Sequence, residues 1–445
     1  MTVPGRTADR MLAGFAAVDV TPPGPLVLSG FAARASRSEG VNDRLCARAM
    51  AVAGEGSTPL VVITLDVIGV AAELTQRIAL ALSRSGVYVG PDRIAVVATH
   101  THSGPATLPR AFLGQVDGAV IDRLVAGAVA AAGEAMTRLE PGEFRFGSAL
   151  VPGIAVNRRD PAGPVDDELT VLGFWRENAA VPSGMLVSFA LHPVVLGPSN
   201  LLVTRDYVGF VVDELAAAFP GAVPLYACGF AGQINHDPAA VASASDAPVE
   251  KRGFAVAAAI GQRLAAAARA AIASSQPSSR PAATRVAGRR LRLPLLAPAE
   301  ASAVLLKRWQ RELAAATPQT DPWRRAILPE LIGWAKAHSG VAAPAEVATT
   351  VAAFGLADFA LLFAPGEPFV EYALELKRDF PGKVMPLGFC NDAPGYLPTA
   401  DAMSQGGYEV DMAYMFYGMP GRFAPELEDL LRQAMNGLVR EVLPS

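Results

Sequence analysis

The chain alternates short runs of Val, Ile and Leu with longer stretches in which Ala and Leu recur at helical spacing. Short apolar runs bounded by turn residues are typical of strands buried on both faces, whereas apolar residues three or four apart predict amphipathic helices. The pattern predicts strands over residues 59–67, 93–98, 169–175, 184–190, 224–228 and 359–363, and helices over residues 71–83, 119–137, 207–219, 251–274 and 425–442. Such alternation indicates an α/β fold of mixed β-sheets flanked by helices.

Residues 297–341 interrupt this alternation with two predicted helices joined around Pro318, and they carry three of the four tryptophans. We interpret this segment as a helical insertion that could cover an active-site mouth or form a dimer interface. Residues 275–283 are rich in Pro and Ser, as a linker would be, yet the strand-like segments after residue 345 resemble those before it. We therefore expect one domain over residues 1–445, built from two halves.

Composition and charge narrow the range of partners. Hydrophobic residues make up 51% of the chain, but Ala supplies much of this share, and no uninterrupted apolar run reaches the roughly 20 residues that span a bilayer. The net charge is −4, without a basic cluster of the kind that binds nucleic acid. We expect a small-molecule substrate, no nucleic-acid partner and no stable membrane association. The sequence does not decide whether the protein forms a homo-oligomer.

The N-terminal segment lacks the apolar stretch of a secretory signal, and the three cysteines are far apart. Both features suit a reducing compartment, so we expect a cytoplasmic protein without a disulfide framework.

Histidines mark the candidate chemistry, because His100, His102, His192 and His236 lie beside Gly, Asn, Asp or Pro at predicted strand ends. The fifth, His338, lies on the second helix of the insertion, where we expect a surface or packing role.

The segment 93–105 (RIAVVATHTHSGP) places His100 and His102 directly after a predicted strand. In extended backbone, residues two apart face the same side, so the two imidazoles can converge on one point. Neutral imidazole is a favoured zinc ligand, but a pair of hydrogen-bonded loop histidines has the same spacing. Metal-dependent amidohydrolase barrels also carry such a pair. A barrel is disfavoured because an earlier α/β unit precedes the motif and no later series of two histidines and an aspartate follows.

Motifs spread along the chain resemble those of the neutral (non-lysosomal) ceramidase family. In order, they are residues 17–23 (AVDVTPP), 65–66 (LD), 100–105 (HTHSGP), 157–158 (NR), 191–193 (LHP), 365–367 (PGE), 395–399 (GYLPT) and 407–409 (GYE). Their shared order is more specific than any single motif. The resemblance implies a ceramidase-like catalytic domain that binds Zn2+ through two histidines, a glutamate and a tyrosine. These ligands correspond here to His100, His192, Glu367 and Tyr396.

Each implied ligand also has an ordinary structural alternative. Glu367 could cap the helix that follows it, and His192 could be a buried, hydrogen-bonded core residue. Tyr396 could be a packed loop aromatic, since a metal must lower the phenol pKa from near 10 before ligation. Asp66 could orient a ligand histidine or cap the next helix.

The resemblance further implies that His102, Arg158 and Tyr408 contact the substrate or stabilise the developing oxyanion. The family's Gly-Asp-x-Ser-Pro-Asn loop, however, reads GQINHD at residues 232–237, with Asn235 in the place of the serine and Gln233 in that of the acid. Asparagine is not an oxygen nucleophile, but it can donate a hydrogen bond to an oxyanion or to substrate.

We count Gln233 and His236 as candidate substrate contacts. His236 could equally be a general acid or a structural loop residue. We expect this protein to lack the family's C-terminal immunoglobulin-like domain. Together with the absent signal and the lack of an exposed apolar helix, this argues for a small soluble amide over a sphingolipid.

The sequence thus leads to the hypothesis of a zinc-dependent amidohydrolase that cleaves a non-peptide C–N bond with metal-activated water. His102 or Tyr408 would pass a proton to the leaving amine, and Arg158 would anchor an anionic substrate group. One alternative is hydrolysis of a lactam, lactone or ester at the same site. The other alternative is a non-catalytic metal- or ligand-binding protein. The sequence retains every implied metal ligand, which argues against that alternative.

Overall fold

Two β-sheets, with helices on their outer faces, form the part of the chain that the computed structural model describes: residues 10–444 without 35, 55–56, 87–88, 109–114, 238–251, 279–282, 299, 318 and 342–344. The strands are β1 (Met11–Asp19), β2 (Gly40–Val41), β3 (Cys46–Gly54), β4 (Leu60–Leu65), β5 (Ile94–Ala98), β6 (Glu140–Leu150), β7 (Val156–Asn157), β8 (Glu168–Arg176), β9 (Gly184–Phe189), β10 (Leu202–Val203), β11 (Val223–Cys228), β12 (Ile234–Asn235), β13 (Gln276–Pro277), β14 (Thr284–Leu296), β15 (Glu346–Leu356), β16 (Phe359–Phe363), β17 (Glu367–Pro368), β18 (Val384–Leu387), β19 (Tyr396–Leu397) and β20 (Arg422–Phe423). The helices are α1 (Ala72–Arg84), α2 (Gly118–Thr137), α3 (Tyr207–Ala218), α4 (Phe254–Ser274), α5 (Ser302–Ala314), α6 (Pro322–His338), α7 (Val370–Asp379), α8 (Ala400–Gln405), α9 (Ala413–Phe416) and α10 (Leu427–Val442).

Both sheets are mixed, which confirms the predicted fold class. The larger sheet has the order β11-β9-β8-β6-β1-β3-β4-β5, with β13 beside β6, and the smaller has the order β18-β16-β15-β14-β20. The pairs β4/β5, β9/β11 and β16/β18 are parallel, and the remaining pairs described in these two sheets are antiparallel.

Side-chain alternation along the strands divides the core into layers. One face of the larger sheet packs against α1–α4, and its other face, with Met50 and Val62, packs against Leu361 and Phe363 of the smaller sheet. The outer face of the smaller sheet packs against α6, α7 and α10. Strands buried on both faces read as continuous apolar runs, which is why the sequence predicts β4, β5 and β16 closely.

The insertion contains α5 and α6, the two helices expected between residues 297 and 341. Trp309 and Trp334 pack edge to face with ring centroids 6.4 Å apart, and Nε1 of Trp334 donates to the carbonyl of Met419 at 2.7 Å. His338 stacks on Trp334, in the packing role expected of it. The turn predicted at Pro318, the helix start at Lys251 and residues 279–282 of the linker-like segment lie outside the described residues.

Helix α4 is long and apolar enough, by length and composition alone, to cross a membrane. Three of its residues, Ala257, Leu264 and Ala268, are fully buried from solvent and pack in the core against the larger sheet. A core helix of a folded protein meets the same criteria of length and composition. The expectation of no membrane association stays a prediction.

Candidate metal centre

Three histidines meet where the chain leaves two strands of the larger sheet. His100 and His102 follow β5, His192 follows β9, and their ligand nitrogens all lie within 4.8 Å of one another. The Nε2 atoms of His100 and His102 are 3.2 Å apart. Donors that each lie about 2.0 Å from a tetrahedral zinc are about 3.3 Å from one another. The spacing of these nitrogens therefore suits a shared metal ion.

The two imidazoles of the His-Thr-His motif converge for a different reason than the one predicted from the sequence. β5 ends at Ala98, and His100 has a φ of 66°, in the left-handed region. The motif is thus a turn, not extended backbone with alternating sides. A left-handed conformation is uncommon for a residue with a Cβ, and such strain concentrates at functional sites. The prediction of convergence was right, but its basis in strand alternation was wrong.

Backbone carbonyls orient the two buried ligand candidates. Nδ1 of His100 lies against the carbonyl of Ile68, and Nδ1 of His192 lies 2.7 Å from the carbonyl of Ala231. A carbonyl only accepts, so each Nδ1 is the protonated nitrogen and each Nε2 keeps its lone pair for the centre. Burial lowers the pKa of both imidazoles to about 3, which keeps them neutral at neutral pH. Phe389 stacks on His100 at 4.0 Å between centroids.

Glu367 and Tyr396 are direct partners in the parallel pair β17/β19. This places Oε2 of Glu367 3.0 Å from Nε2 of His192 and 3.8 Å from Nε2 of His100. Burial raises the pKa of Glu367. The N-cap residue of α7 is Phe369, and its first N–H donates to Gln233, so the alternative that Glu367 is a helix cap is wrong.

A glycine at position 366 allows this short pair of strands to form. Gly366 has a φ of 58°, and a Cβ on it would lie 2.3 Å from the carbonyl oxygen of Gly395. Only glycine fits both the left-handed backbone and the close approach. The Pro-Gly-Glu and Gly-Tyr motifs thus have a structural reason to occur together.

Tyr417 is a member of the site that the sequence analysis missed. Its hydroxyl donates to Oε1 of Glu367, the oxygen that faces away from His192. Its ring lies edge-on to that of Tyr396, with centroids 6.1 Å apart. Tyr417 follows α9 and belongs to none of the motifs quoted above, so no local pattern marked it.

A second small ladder, β7/β12, brings Arg158 beside Asn235. Nε of Arg158 donates to Oε1 of Glu409 at 2.8 Å, and its Nη1 donates to Oδ1 of Asn235 at 3.4 Å. Arg159 donates to the other oxygen of Glu409 at 2.8 Å. Burial opposes ionisation of Glu409, but the two arginines outweigh it and lower the pKa of this carboxyl.

His102 lies beside His100 and His192, and Tyr408 lies beside Tyr396. His102 is half-buried, with Nδ1 3.1 Å from the carbonyl of Gly30 and its ring 5.1 Å from that of Phe31. Burial, and then the neighbouring His100, hold the pKa of His102 well below its ordinary value. Tyr408 opens a π-helical turn, a distortion frequent at functional sites, and its ring lies 5.9 Å from that of Tyr396. Burial raises the pKa of Tyr408.

Two candidates from the sequence have structural partners instead. Gln233 uses both ends of its amide to hold the start of α7, donating to Glu371 at 2.7 Å and accepting from the Val370 N–H at 3.1 Å. Asp66 accepts from Arg48 at 2.9 Å, so neither of the two roles considered for it, orienting a histidine or capping a helix, is seen. Asp66 instead forms a buried ion pair.

His236 is half-buried and follows Asn235 in the chain. Its predicted role as a substrate contact or general acid stays a prediction.

Comparison with known proteins agrees with the motifs. Residues 11–219 match the family model of the neutral/alkaline non-lysosomal ceramidase N-terminal domain. The fold is similar to that in the crystal structure of neutral ceramidase from Pseudomonas aeruginosa, with a TM-score of 0.73, 18% identity, and coverage of 98% of this chain and 76% of that chain. A ceramidase complexed with C2 gives a TM-score of 0.73 at 19% identity and the same coverage. The chain is thus similar to the neutral/alkaline non-lysosomal ceramidases, in sequence over residues 11–219 and in fold over 98% of its length.

Proposed function

We propose that this protein is a zinc-dependent hydrolase that cleaves the amide C–N bond of a small soluble substrate. The observation that carries the proposal is the convergence of Nε2 of His100, Nε2 of His192 and Oε2 of Glu367, with both imidazoles fixed in the tautomer that frees Nε2. Neutral imidazole and carboxylate are ligands that zinc prefers. Ceramidases hydrolyse an amide, and the similarity of residues 11–219 to their N-terminal domain supports the same bond class.

The residues present fit the metal. His100, His192, Glu367 and Tyr396 would hold it, and they are all buried. When bound, zinc polarises the scissile carbonyl and supplies hydroxide near neutral pH. The backbone carbonyls behind the two histidines fix the ring orientations, and the protein excludes bulk water from their Nε2 atoms.

His102 is the member of the histidine group that we assign to proton transfer. It is half-buried, unlike His100 and His192, so it can exchange a proton with solvent or substrate. Its lowered pKa leaves it neutral at neutral pH, so it can take a proton from the attacking water and pass it to the leaving amine. Tyr408, with its raised pKa, stays protonated and can donate a hydrogen bond to the leaving nitrogen.

Asn235 sets the chemistry apart from that of a serine-dependent relative. A carboxamide does not attack a carbonyl as an oxygen nucleophile, so the attacking group in this proposal is water. Arg158 and Asn235 then act as hydrogen-bond donors to the substrate.

Metal analysis of the purified protein, coupled to hydrolysis of a panel of N-acyl amides, tests the proposal. We expect about one zinc per chain, amide hydrolysis that a chelator abolishes, and recovery on adding zinc back. His100→Ala should lose both metal and activity. The matched control is His338→Ala, since that imidazole stacks on Trp334 in the insertion.

Three results would contradict the proposal. Stoichiometric zinc and unchanged turnover in His100→Ala would refute the site. Metal binding without hydrolysis of any amide would favour the non-catalytic alternative, and exclusive turnover of lactams or lactones would favour the cyclic-substrate alternative.

A further inference from the structure

The orientation of the Asn235 side chain is set by its neighbour. Asn235 is 1% exposed, and its Oδ1 accepts from Nη1 of Arg158 at 3.4 Å. The reversed amide would turn its NH2 group towards the guanidinium, placing two donors face to face. Nδ2 therefore points away from Arg158, and within the described residues it has no hydrogen-bond partner.

Among the described residues, one buried hydrogen-bond donor of Arg158 also lacks an acceptor within hydrogen-bond distance. Its side chain is 6% exposed, and its ion pair with Glu409 uses Nε alone. Nη2 is shielded from solvent and lies within hydrogen-bond distance of no acceptor that the structure describes, although the guanidinium also interacts with the Tyr396 hydroxyl. A carboxylate can bind the edge formed by Nη1 and Nη2 through two parallel hydrogen bonds. No acidic side chain that the structure describes occupies this edge.

These donors lie beside the predicted metal ligands. The guanidinium carbon of Arg158 is 5.4 Å from the centre of the Tyr396 ring, and its charge acts on Glu367. It also interacts with Tyr408, which precedes Glu409 in the chain and which we assign to the leaving nitrogen. With Tyr408 assigned to the leaving nitrogen, a group bound by Arg158 would lie on the amine side of the scissile bond.

We propose that Nη2 of Arg158 and Nδ2 of Asn235 together bind a carboxylate of the substrate, and that the substrate class is the N-acyl amino acids. Two unsatisfied buried donors call for an acceptor, and a permanent cation favours a permanent anion. In an N-acyl amino acid, the carboxylate is two bonds from the amide nitrogen, within reach of both groups. The inference rests on the proposed amide hydrolysis, and it gives the asparagine that replaces the family's serine a specific task.

A pair of substrates that differ only in the carboxylate tests this inference. N-acetyl-leucine and N-acetyl-isopentylamine share the acyl group, the scissile bond and the branched chain. With the zinc-loaded protein, we expect kcat/KM for the acid to exceed that for the neutral amide by about tenfold or more, the effect of one charge-assisted hydrogen bond. Asn235→Asp places a carboxylate beside the substrate's own and should lower this ratio by about tenfold or more.

Asn178→Asp is the matched control, because it makes the same change of charge on an exposed turn and should keep the wild-type ratio. Metal content and circular dichroism of Asn235→Asp show whether the variant is folded. A neutral amide cleaved as fast as the acid would overturn the inference and leave the proposed hydrolysis standing; it would mean that the donors serve only the oxyanion. An unchanged ratio in Asn235→Asp would overturn it as well.

If neither compound is cleaved, the proposed hydrolysis of this substrate class fails, and calorimetric binding of the same two compounds still decides about the donor pair. Tighter binding of N-acetyl-leucine to the wild type than to Asn235→Asp would support the carboxylate site. Equal binding of the acid and the neutral amide would overturn it.

Discussion

Tyr417 donates its hydroxyl hydrogen to Oε1 of Glu367, while Oε2 of the same carboxylate faces Nε2 of His192 at 3.0 Å. One oxygen of Glu367 therefore binds an orienting partner, and the other faces the centre of the site. A hydrogen bond from behind fixes the plane of a ligand carboxylate and directs its remaining lone pairs. Tyr417 thus acts through Glu367 and is a positioning residue.

Replacing Tyr417 with phenylalanine should weaken metal binding without unfolding the protein. The ring that packs against Tyr396 remains, and the hydrogen bond to Glu367 is lost. Partners that orient a ligand typically contribute about 10- to 100-fold in metal affinity or activity. Competition with a chromophoric chelator measures the affinity. Tyr414→Phe is the control, since that ring packs on Trp334. Equal metal affinities for the two variants would show that the hydrogen bond from Tyr417 does not contribute to metal binding.

The histidine group itself admits two ligand sets, and substitution distinguishes them. His102 lies as close to His100 as a ligand would, yet the proposal assigns it to proton transfer. His192→Gln should lose zinc, whereas His102→Gln should keep it and lose about 100-fold or more in kcat, the typical contribution of a general acid or base. Zinc content by atomic absorption and kcat of the loaded variants measure the two effects. Loss of zinc from His102→Gln would make it a ligand and refute its assigned role.

Much of the fold follows from local pattern, because strands buried on both faces and amphipathic helices leave periodic signals. β16 was predicted to its end residues, and α2 to within one residue. β6 and β14 were not predicted, because polar and charged residues interrupt their apolar runs. A strand with one partly exposed face lacks the continuous run on which the prediction depended.

The site was predictable only where a motif marked it. The four implied ligands lie together in the structure: His100, His192, Glu367 and Tyr396. They come from strand ends that are far apart in the sequence, and only the order of the family's motifs indicated that they share a site. Phe389 and Tyr417 touch these residues through tertiary packing alone. No spacing along the chain could indicate such contacts.

Gly30 gives a test of the position of His102. A Cβ at residue 30 would lie 2.4 Å from Nδ1 of His102, so Gly30→Ala should displace that imidazole and lower kcat while zinc stays bound. Gly24→Ala is a close control, because both glycines have a positive φ, 102° for Gly30 and 78° for Gly24, but a Cβ on Gly24 meets no atom of the described residues within 4 Å. Both variants share the cost of the left-handed backbone, and only the first has the clash. Equal kcat values for the two would argue against a catalytic His102.

Burial of the histidines makes the stability of the metal-free protein depend on pH. The pKa of His192 falls from its ordinary 6.5 to about 3 on folding, chiefly through burial and the nearby charge of Arg158. As the pH drops from 6.5 towards 3, the unfolded chain binds a proton at this residue that the folded chain does not. The stabilisation is therefore complete above pH 6.5 and is lost on acidification, by about 1.4 kcal/mol per pH unit for each such histidine.

Glu367 works in the opposite direction, since its raised pKa lets the folded chain take up a proton first. A difference between variants isolates the histidine, because Glu367 is common to both. Urea unfolding with chelator present should show that the unfolding free energy lost between pH 7 and pH 5 is larger for the wild type than for His192→Asn, by about 2 kcal/mol in total. Parallel slopes would mean that His192 titrates alike in the folded and unfolded chains, contrary to a neutral imidazole held ready for a metal.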